Sequence, residues 1–296
     1  MSNDGSHLWS LLGGYAFVLC ILPGFVGPER ARWLFALSIL GLVLGSSDGR
    51  AQQDFDRESY YSAVEYCRGD VSRPMALSPD QKILCFDGPI AGDLATSFVA
   101  GVEENGLFVV RSLEGVGAIA IAISNALRAR RATVVIYDYC LSACASYFFV
   151  ASYQTYVLKG TLVAWHNGGS GFPDCTSLGI PHDEGPKKIR RAPCKNIPLE
   201  YRAGYEAFLS ARRSFYWERA IDPKFEFPPD SFYVRKILKS IYGDTGVYPD
   251  VAWTWNPRYL KRTFTAKIHY ESYPQSQQEV DSMVARLHLG KVIYDP

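Results

Sequence analysis

The sequence predicts an α/β fold, with a parallel sheet covered by helices and a hydrophobic leader at the N-terminus. Between residues 82 and 167, segments of strand length alternate with helical segments. The strand segments, such as "TVVIY", are apolar on both faces, as in a sheet buried on both sides. The 48% hydrophobic and 14% aromatic content fits a packed domain. A formal charge of +1 over 296 residues gives no indication of a nucleic-acid partner.

Residues 1–51 form the leader. The segment "LWSLLGGYAFVLCILPGFVG" (8–27) is uncharged and long enough to span a bilayer of about 30 Å. Arg30 and Arg32 then precede the apolar "WLFALSILGLVLG" and small and polar residues that end at Ala51, which resembles a secretory signal peptide. The alternative is a pair of membrane helices with both arginines on the cytoplasmic side. Either interpretation places the later residues in the periplasm or another extracytoplasmic space, secreted or anchored to the inner membrane.

The remaining segments follow in chain order. Residues 52–80 are polar and turn-rich and predict a connecting arm, which leads into a domain over 81–296. Expected strands are "KILCFDG" (82–88), "GLFVVRS" (106–112), "ATVVIYDY" (132–139) and "TYVLKGTLVAWHN" (155–167), and expected helices are 92–105, 118–131, 143–153, 200–220 and 275–290. In the second helix Ile119, Ile123 and Leu127 form one apolar stripe. Residues 167–198 are rich in Gly, Pro and charge and predict a lid-like insertion.

The segment "CLSACAS" carries the candidate chemistry. Ser142 follows a strand and opens a helix, where free amides and a partial positive charge are available. His166 ends the next β segment. Serine hydrolysis needs such a hydroxyl, an imidazole base, a carboxylate that orients the base, and amides that bind the oxyanion.

At these residues the chain resembles the Clp-protease branch of the Clp-protease/crotonase superfamily, from "LCFDG" to "AWHN" (84–167). "SAC" with the exported leader looks most like the periplasmic Clp-like proteins of bacteria. The resemblance implies a repeated β-β-α spiral and a homo-oligomer. It also implies a nucleophile, a base and two oxyanion amides, which are matched by Ser142, His166, Gly115 and Ala143.

The carboxylate of the triad is matched less closely. Asp250 in "YPDVAW" is the best match and Asp244 in "YGDTG" the second, and ordinary turn roles remain open for both. Glu114 replaces the family's first glycine in "SLEGVG", and its side chain is expected to point to solvent. Ser146 is a second candidate for the nucleophile.

Cysteine usage fits an exported domain. The six cysteines after the leader are an even number, which predicts disulfides without fixing their connectivity. The expected pairs, with burial as small apolar residues as the alternative, are Cys175 with Cys194, Cys67 with Cys85, and Cys140 with Cys144. A further alternative makes Cys140 or Cys144 the nucleophile.

The sequence thus predicts an exported serine hydrolase, in the first place a peptidase, that acts on a peptide or small acyl substrate through an acyl-enzyme. The alternative is a non-catalytic binding or assembly module of the same fold at the cell envelope. Acyl-CoA chemistry is disfavoured outside the cytoplasm. No cofactor, metal or nucleic acid is expected, and an exported domain would not meet an ATPase partner. Membrane contact is expected only through an uncleaved leader.

Overall fold

The computed structural model describes residues 55–91, 96–166, 199–226, 231–242 and 251–296, which all belong to one unit, Phe55–Pro296. Nine strands in these residues form a mixed sheet: β1 Met75–Leu77, β2 Ile83–Asp87, β3 Leu107–Ser112, β4 Thr133–Leu141, β5 Gln154–Val157, β6 Leu162–His166, β7 Ala252–Thr254, β8 Lys267–Tyr270 and β9 Val292–Tyr294. The order is β1-β2-β3-β4-β6-β7-β9, with β5 on β4 and β8 on β5. The centre of the sheet is parallel, and β1 and β7 pair antiparallel with β2 and β6.

The long strand β4 has two different neighbours on one side. Its first half, from Thr133 to Ile136, pairs with β5, whereas Tyr139 to Leu141 pair with β6. Between these halves Asp138 has a φ of 55°, and the register against β3 shifts after Val110. Such an irregularity bends a strand and increases its twist. The bend therefore brings β6, and not β5, beside the last residues of β4.

Seven α-helices lie in the described residues: α1 Arg57–Arg68, α2 Thr96–Ala100, α3 Gly117–Ala129, α4 Leu199–Glu218, α5 Phe232–Tyr242, α6 Pro257–Thr263 and α7 Gln277–Leu287. A π-helical turn spans Cys144–Phe148 and a 3₁₀ turn spans Pro223–Glu226. Side-chain caps fix three of the starts, since Asp56, Asn256 and Ser276 accept hydrogen bonds from the first turns of α1, α6 and α7. In α3, Ile123 and Leu127 are buried and Ile119 packs against them, as the apolar stripe predicted.

Both faces of the central strands are buried. On one face an aromatic core includes Phe108 and Phe148, whose rings meet edge to face at 5.1 Å, and Phe149 and Trp165, at 5.8 Å. On the other face α1 packs against alternate residues of the same strands, Val109 among them. The sheet therefore has the two covered faces that its continuous apolar strands predicted.

Several segments differ from expectation in detail. The arm over residues 52–80 contains α1 and β1, and residues 155–167 form two strands with a turn between them. The expected helix over 143–153 is the π-helical turn followed by further turns. The leader and the lid-like insertion lie outside the described residues. Among the described residues, no helix has the length and apolarity needed to cross a membrane.

Candidate active site

Ser142 occupies a sharp turn between β4 and the π-helical turn. Its φ is 57°, in the left-handed region that residues other than glycine adopt only rarely. The amide of Ser142 donates to the Ala164 carbonyl of β6 at 3.1 Å, and its carbonyl accepts from the Ser146 amide at 2.9 Å. A strand-to-helix turn of this kind presents a serine side chain at the end of a strand. The half-buried Ser142 therefore has a backbone that is fixed on both sides.

His166 lies at the same edge of the sheet. It is the last residue of β6, which runs parallel to the end of β4 with Leu141 opposite Ala164. Because carboxyl ends of neighbouring parallel strands meet at one edge, His166 at the end of β6 and Ser142 just after β4 lie at the same edge of the sheet. On its other side His166 pairs with Ala252 of β7. Burial lowers the pKa of the His166 imidazole and the negative charge of Glu114 raises it, so that burial dominates and favours the neutral base.

Within the described residues, the Ser142 hydroxyl makes no hydrogen bond, so the structure places Ser142 and His166 on adjacent strand ends without joining them. A hydrogen bond between nucleophile and base is often absent from a substrate-free site and forms in the complex. The two residues that the sequence selected thus lie on the ends of neighbouring parallel strands.

Gly115 lies in the turn between β3 and α3. Ile90 brackets it, since the Ile90 amide donates to Glu114 at 3.0 Å and the Ile90 carbonyl accepts from Val116 at 2.6 Å. The Ile90 bonds use the Glu114 carbonyl and the Val116 amide, so the Gly115 amide between them faces away from Ile90. Its φ is +152°, and a Cβ at this position would lie 2.3 Å from the Ile90 Cβ. Only glycine fits this close approach.

Two further residues bear on Ser142 and His166, namely Ala143 and Glu114. Ala143 follows Ser142 at the start of the helical turn, where amides lack intrahelical acceptors. The Glu114 side chain is exposed, as expected, but its charge also acts on His166. The Ser112 hydroxyl donates to the Gly88 carbonyl at 2.7 Å and to the Glu114 carbonyl at 3.2 Å, which holds the turn in place.

The third member of the triad cannot be located among the described residues, because Asp250 and Asp244 both lie outside them. The described chain resumes at Val251, and the next residue, Ala252, is the backbone partner of His166. Cys175 and Cys194 also lie outside the described residues.

Four cysteines form two disulfides. Cys67 is bonded to Cys85, which ties α1 to β2, and Cys140 is bonded to Cys144 across Ser142. Both pairs match the expected connectivity. Neither Cys140 nor Cys144 carries a free thiol, so the alternative of a cysteine nucleophile is wrong for this oxidised state. Ser146 has its amide engaged with Ser142 one turn earlier.

Arg212, Tyr216 and Glu226 form a buried ionic cluster that contacts Ser146. No sequence pattern predicted this cluster. Glu226 accepts from the Tyr216 hydroxyl and from Arg212, whose Nε lies 2.9 Å from the carboxylate. The pKa of Glu226 is raised, because its burial outweighs the lowering effect of Arg212 and of the hydroxyls of Tyr216 and Ser146. Tyr216 also donates to the Ser146 carbonyl at 3.4 Å. The cluster therefore supports the turn that follows Ser142.

No group of three or more metal-ligating side chains is present among the described residues. Comparison with known proteins gives no assignment: no protein-family model matches the chain, and no curated protein matches it. The resemblance to the Clp-protease/crotonase superfamily therefore depends on the residues quoted above.

Proposed function

We propose that the protein is an exported serine hydrolase of the Clp-protease type, in the first place a peptidase. The observation that carries the proposal is the left-handed turn at Ser142, at the end of a strand whose parallel neighbour ends in His166. Two disulfides among the described residues support an oxidising compartment. The bend in β4 and the α/β architecture are compatible with the β-β-α spiral of the superfamily.

The proposed reaction forms and then hydrolyses an acyl-enzyme. The Ser142 oxygen attacks the acyl carbonyl while the neutral imidazole of His166 takes its proton. The amides of Gly115 and Ala143 donate to the oxyanion that develops. His166 returns the proton to the leaving amine or alcohol, and water repeats the sequence on the ester to release the acid. Asp250 is the proposed partner that orients His166.

Two features of the described residues suit this reaction. Because the Ser142 backbone is fixed, little reorganisation is needed before the hydroxyl attacks. A nucleophile that is already oriented lowers the activation barrier. A His166 whose pKa is lowered by burial is neutral at physiological pH and can accept a proton at once.

The test is labelling of the full chain, purified in its oxidised form, with a fluorophosphonate probe that phosphonylates activated serines. We expect the wild type to be labelled and both Ser142→Ala and His166→Ala to be unlabelled. Ser146→Ala is the matched control and should keep its labelling. Asp250→Asn and Asp244→Asn then decide which carboxylate belongs to the triad. A wild type that folds but is not labelled would favour the non-catalytic binding or assembly module.

A further inference from the structure

The disulfide between Cys140 and Cys144 closes a ring of five residues with Ser142 at its centre. The two Cα atoms lie 5.2 Å apart, and both side chains are fully buried. Leu141 and Ala143, on either side of Ser142, are also buried. Ser142 is thus the one residue of the ring that reaches the surface.

Each end of the ring is fixed by a different part of the fold. Cys140 lies in β4 between two strands, opposite Ser112 of β3 and Val163 of β6. Cys144 begins the π-helical turn, and its carbonyl accepts from the Phe149 amide at 2.9 Å. The disulfide therefore joins the end of a sheet strand covalently to the start of the next turn.

The backbone between these ends adopts an unfavourable conformation. A left-handed φ costs free energy in any residue with a Cβ, and only the surrounding structure can maintain it. At Ser142 two backbone hydrogen bonds help, one to β6 and one from Ser146. The five-residue disulfide ring also opposes an extended backbone at Ser142. An extended Ser142 would move Cys140 and Cys144 too far apart for an S–S bond.

We propose that Cys140 and Cys144 are positioning residues for the reaction at Ser142. Their disulfide holds the serine in its left-handed conformation and so places both its hydroxyl and the Ala143 amide. This inference rests on the proposed hydrolase function.

The second disulfide provides a matched control within the same domain. Cys67 and Cys85 are also buried, with Cα atoms 5.4 Å apart, but they lie between α1 and β2 on the other face of the sheet. Their separation in sequence is 18 residues, against 4 for the ring at Ser142. A disulfide that closes a longer loop restricts the unfolded chain more, so its loss should cost more global stability. If both disulfides are purely structural, loss of the Cys67–Cys85 bond should reduce the labelling rate more. If the Cys140–Cys144 bond positions Ser142, its loss should reduce the rate more.

The experiment compares two double variants of the full chain, Cys140→Ala/Cys144→Ala and Cys67→Ala/Cys85→Ala, with the wild type. Thermal unfolding gives stability, and fluorophosphonate titration gives the maximal labelling rate and the half-saturating probe concentration separately. We expect loss of the ring to lower the maximal rate by about tenfold to a hundredfold, as for a misplaced reacting group. The half-saturating probe concentration and the midpoint of the labelling rate against pH should stay as in the wild type. The control should show the larger fall in Tm and a labelling rate close to that of the wild type.

Each other outcome is decisive. If the ring variant is labelled at the wild-type maximal rate, the positioning inference is wrong and the hydrolase proposal stands. If the control loses as much rate as the ring variant, the effect is one of general stability and the inference is again wrong. An unlabelled wild type would overturn both proposals. Should the double alanine variant fail to fold, Cys140→Val/Cys144→Ala restores most of the lost volume in β4 and is tested in its place.

Discussion

Glu271, which directly follows β8, should be a principal source of acid-sensitive stability. Its carboxylate accepts from the Tyr61 hydroxyl at 2.6 Å, the Tyr156 hydroxyl at 2.9 Å and the Lys159 amide at 2.9 Å, and it pairs with Arg57. Only 7% of the Glu271 side chain is exposed. These donors come from α1, β5 and the turn after β5, so one carboxylate joins three separate segments.

The magnitude follows from the pKa of Glu271. Burial raises this pKa, but the hydrogen bonds from Tyr61, Arg57 and the other donors outweigh burial and lower it from 4.5 to about 2. A difference of this size corresponds to about 3 kcal/mol of folding free energy. Because the Arg57 side chain is 67% exposed and therefore screened, we expect about 2 kcal/mol. A lowered native pKa stabilises the protein at neutral pH, and that stability is lost as the pH falls from about 4.5 towards 2.

The perturbation is Glu271→Gln, assayed by urea unfolding at pH 7 and at pH 3. The variant should be about 2 kcal/mol less stable at pH 7. The difference should shrink at pH 3, because Glu271 of the unfolded wild type is then protonated while the native carboxylate is still mostly ionised. The control is Glu65→Gln, which removes a carboxylate that is 69% exposed and paired with Arg68, and should cost no more than about 0.5 kcal/mol. Equal losses for the two variants, or a Glu271→Gln loss independent of pH, would refute the reasoning.

Three further predictions concern the site and its support. The rate of fluorophosphonate labelling should rise with pH through a midpoint below 6.5, because burial lowers the pKa of His166, and Glu114→Gln should move the midpoint lower still in a pH–rate profile. Gly115→Ala should cut the labelling rate about a hundredfold by displacing the oxyanion amide, whereas Gly204→Ala, which meets no atom within 4 Å, should leave it unchanged. Glu226→Ala should cost about 3 to 5 kcal/mol in urea unfolding, because it leaves the guanidinium of Arg212 buried and unpaired.

The sequence predicted the features that arise from local patterns. Continuous apolar strands identified the buried parallel sheet, and the stripe in α3 identified its buried face. The position of Ser142 after a strand and before a helical turn was also visible, since the types of flanking residues specify it. The sequence did not predict the buried contact of Glu226 with Arg212, because the two residues meet only through the packing of α4 against the following 3₁₀ turn. Nor did it predict that residues 155–167 form two strands, since both halves are equally apolar.

β4 pairs with β5 along its first half and with β6 at its end. This change of neighbour explains how the short connection between β5 and β6 brings His166 near Ser142. β5 ends at Val157, opposite Ile136, and β6 pairs with the last residues of β4 in its place, which puts His166 beside the turn at Ser142. The bend in β4 lies at Asp138, whose φ is 55°. The Asp138 carboxylate pairs with Arg111 of β3, and Arg111 also donates two hydrogen bonds to Asp87 of β2. These charges lie on neighbouring strands, so they support the bend from β2 and β3. The geometry of the proposed site thus depends on an irregularity four residues before its nucleophile, held by an ion-pair network that takes no part in the chemistry.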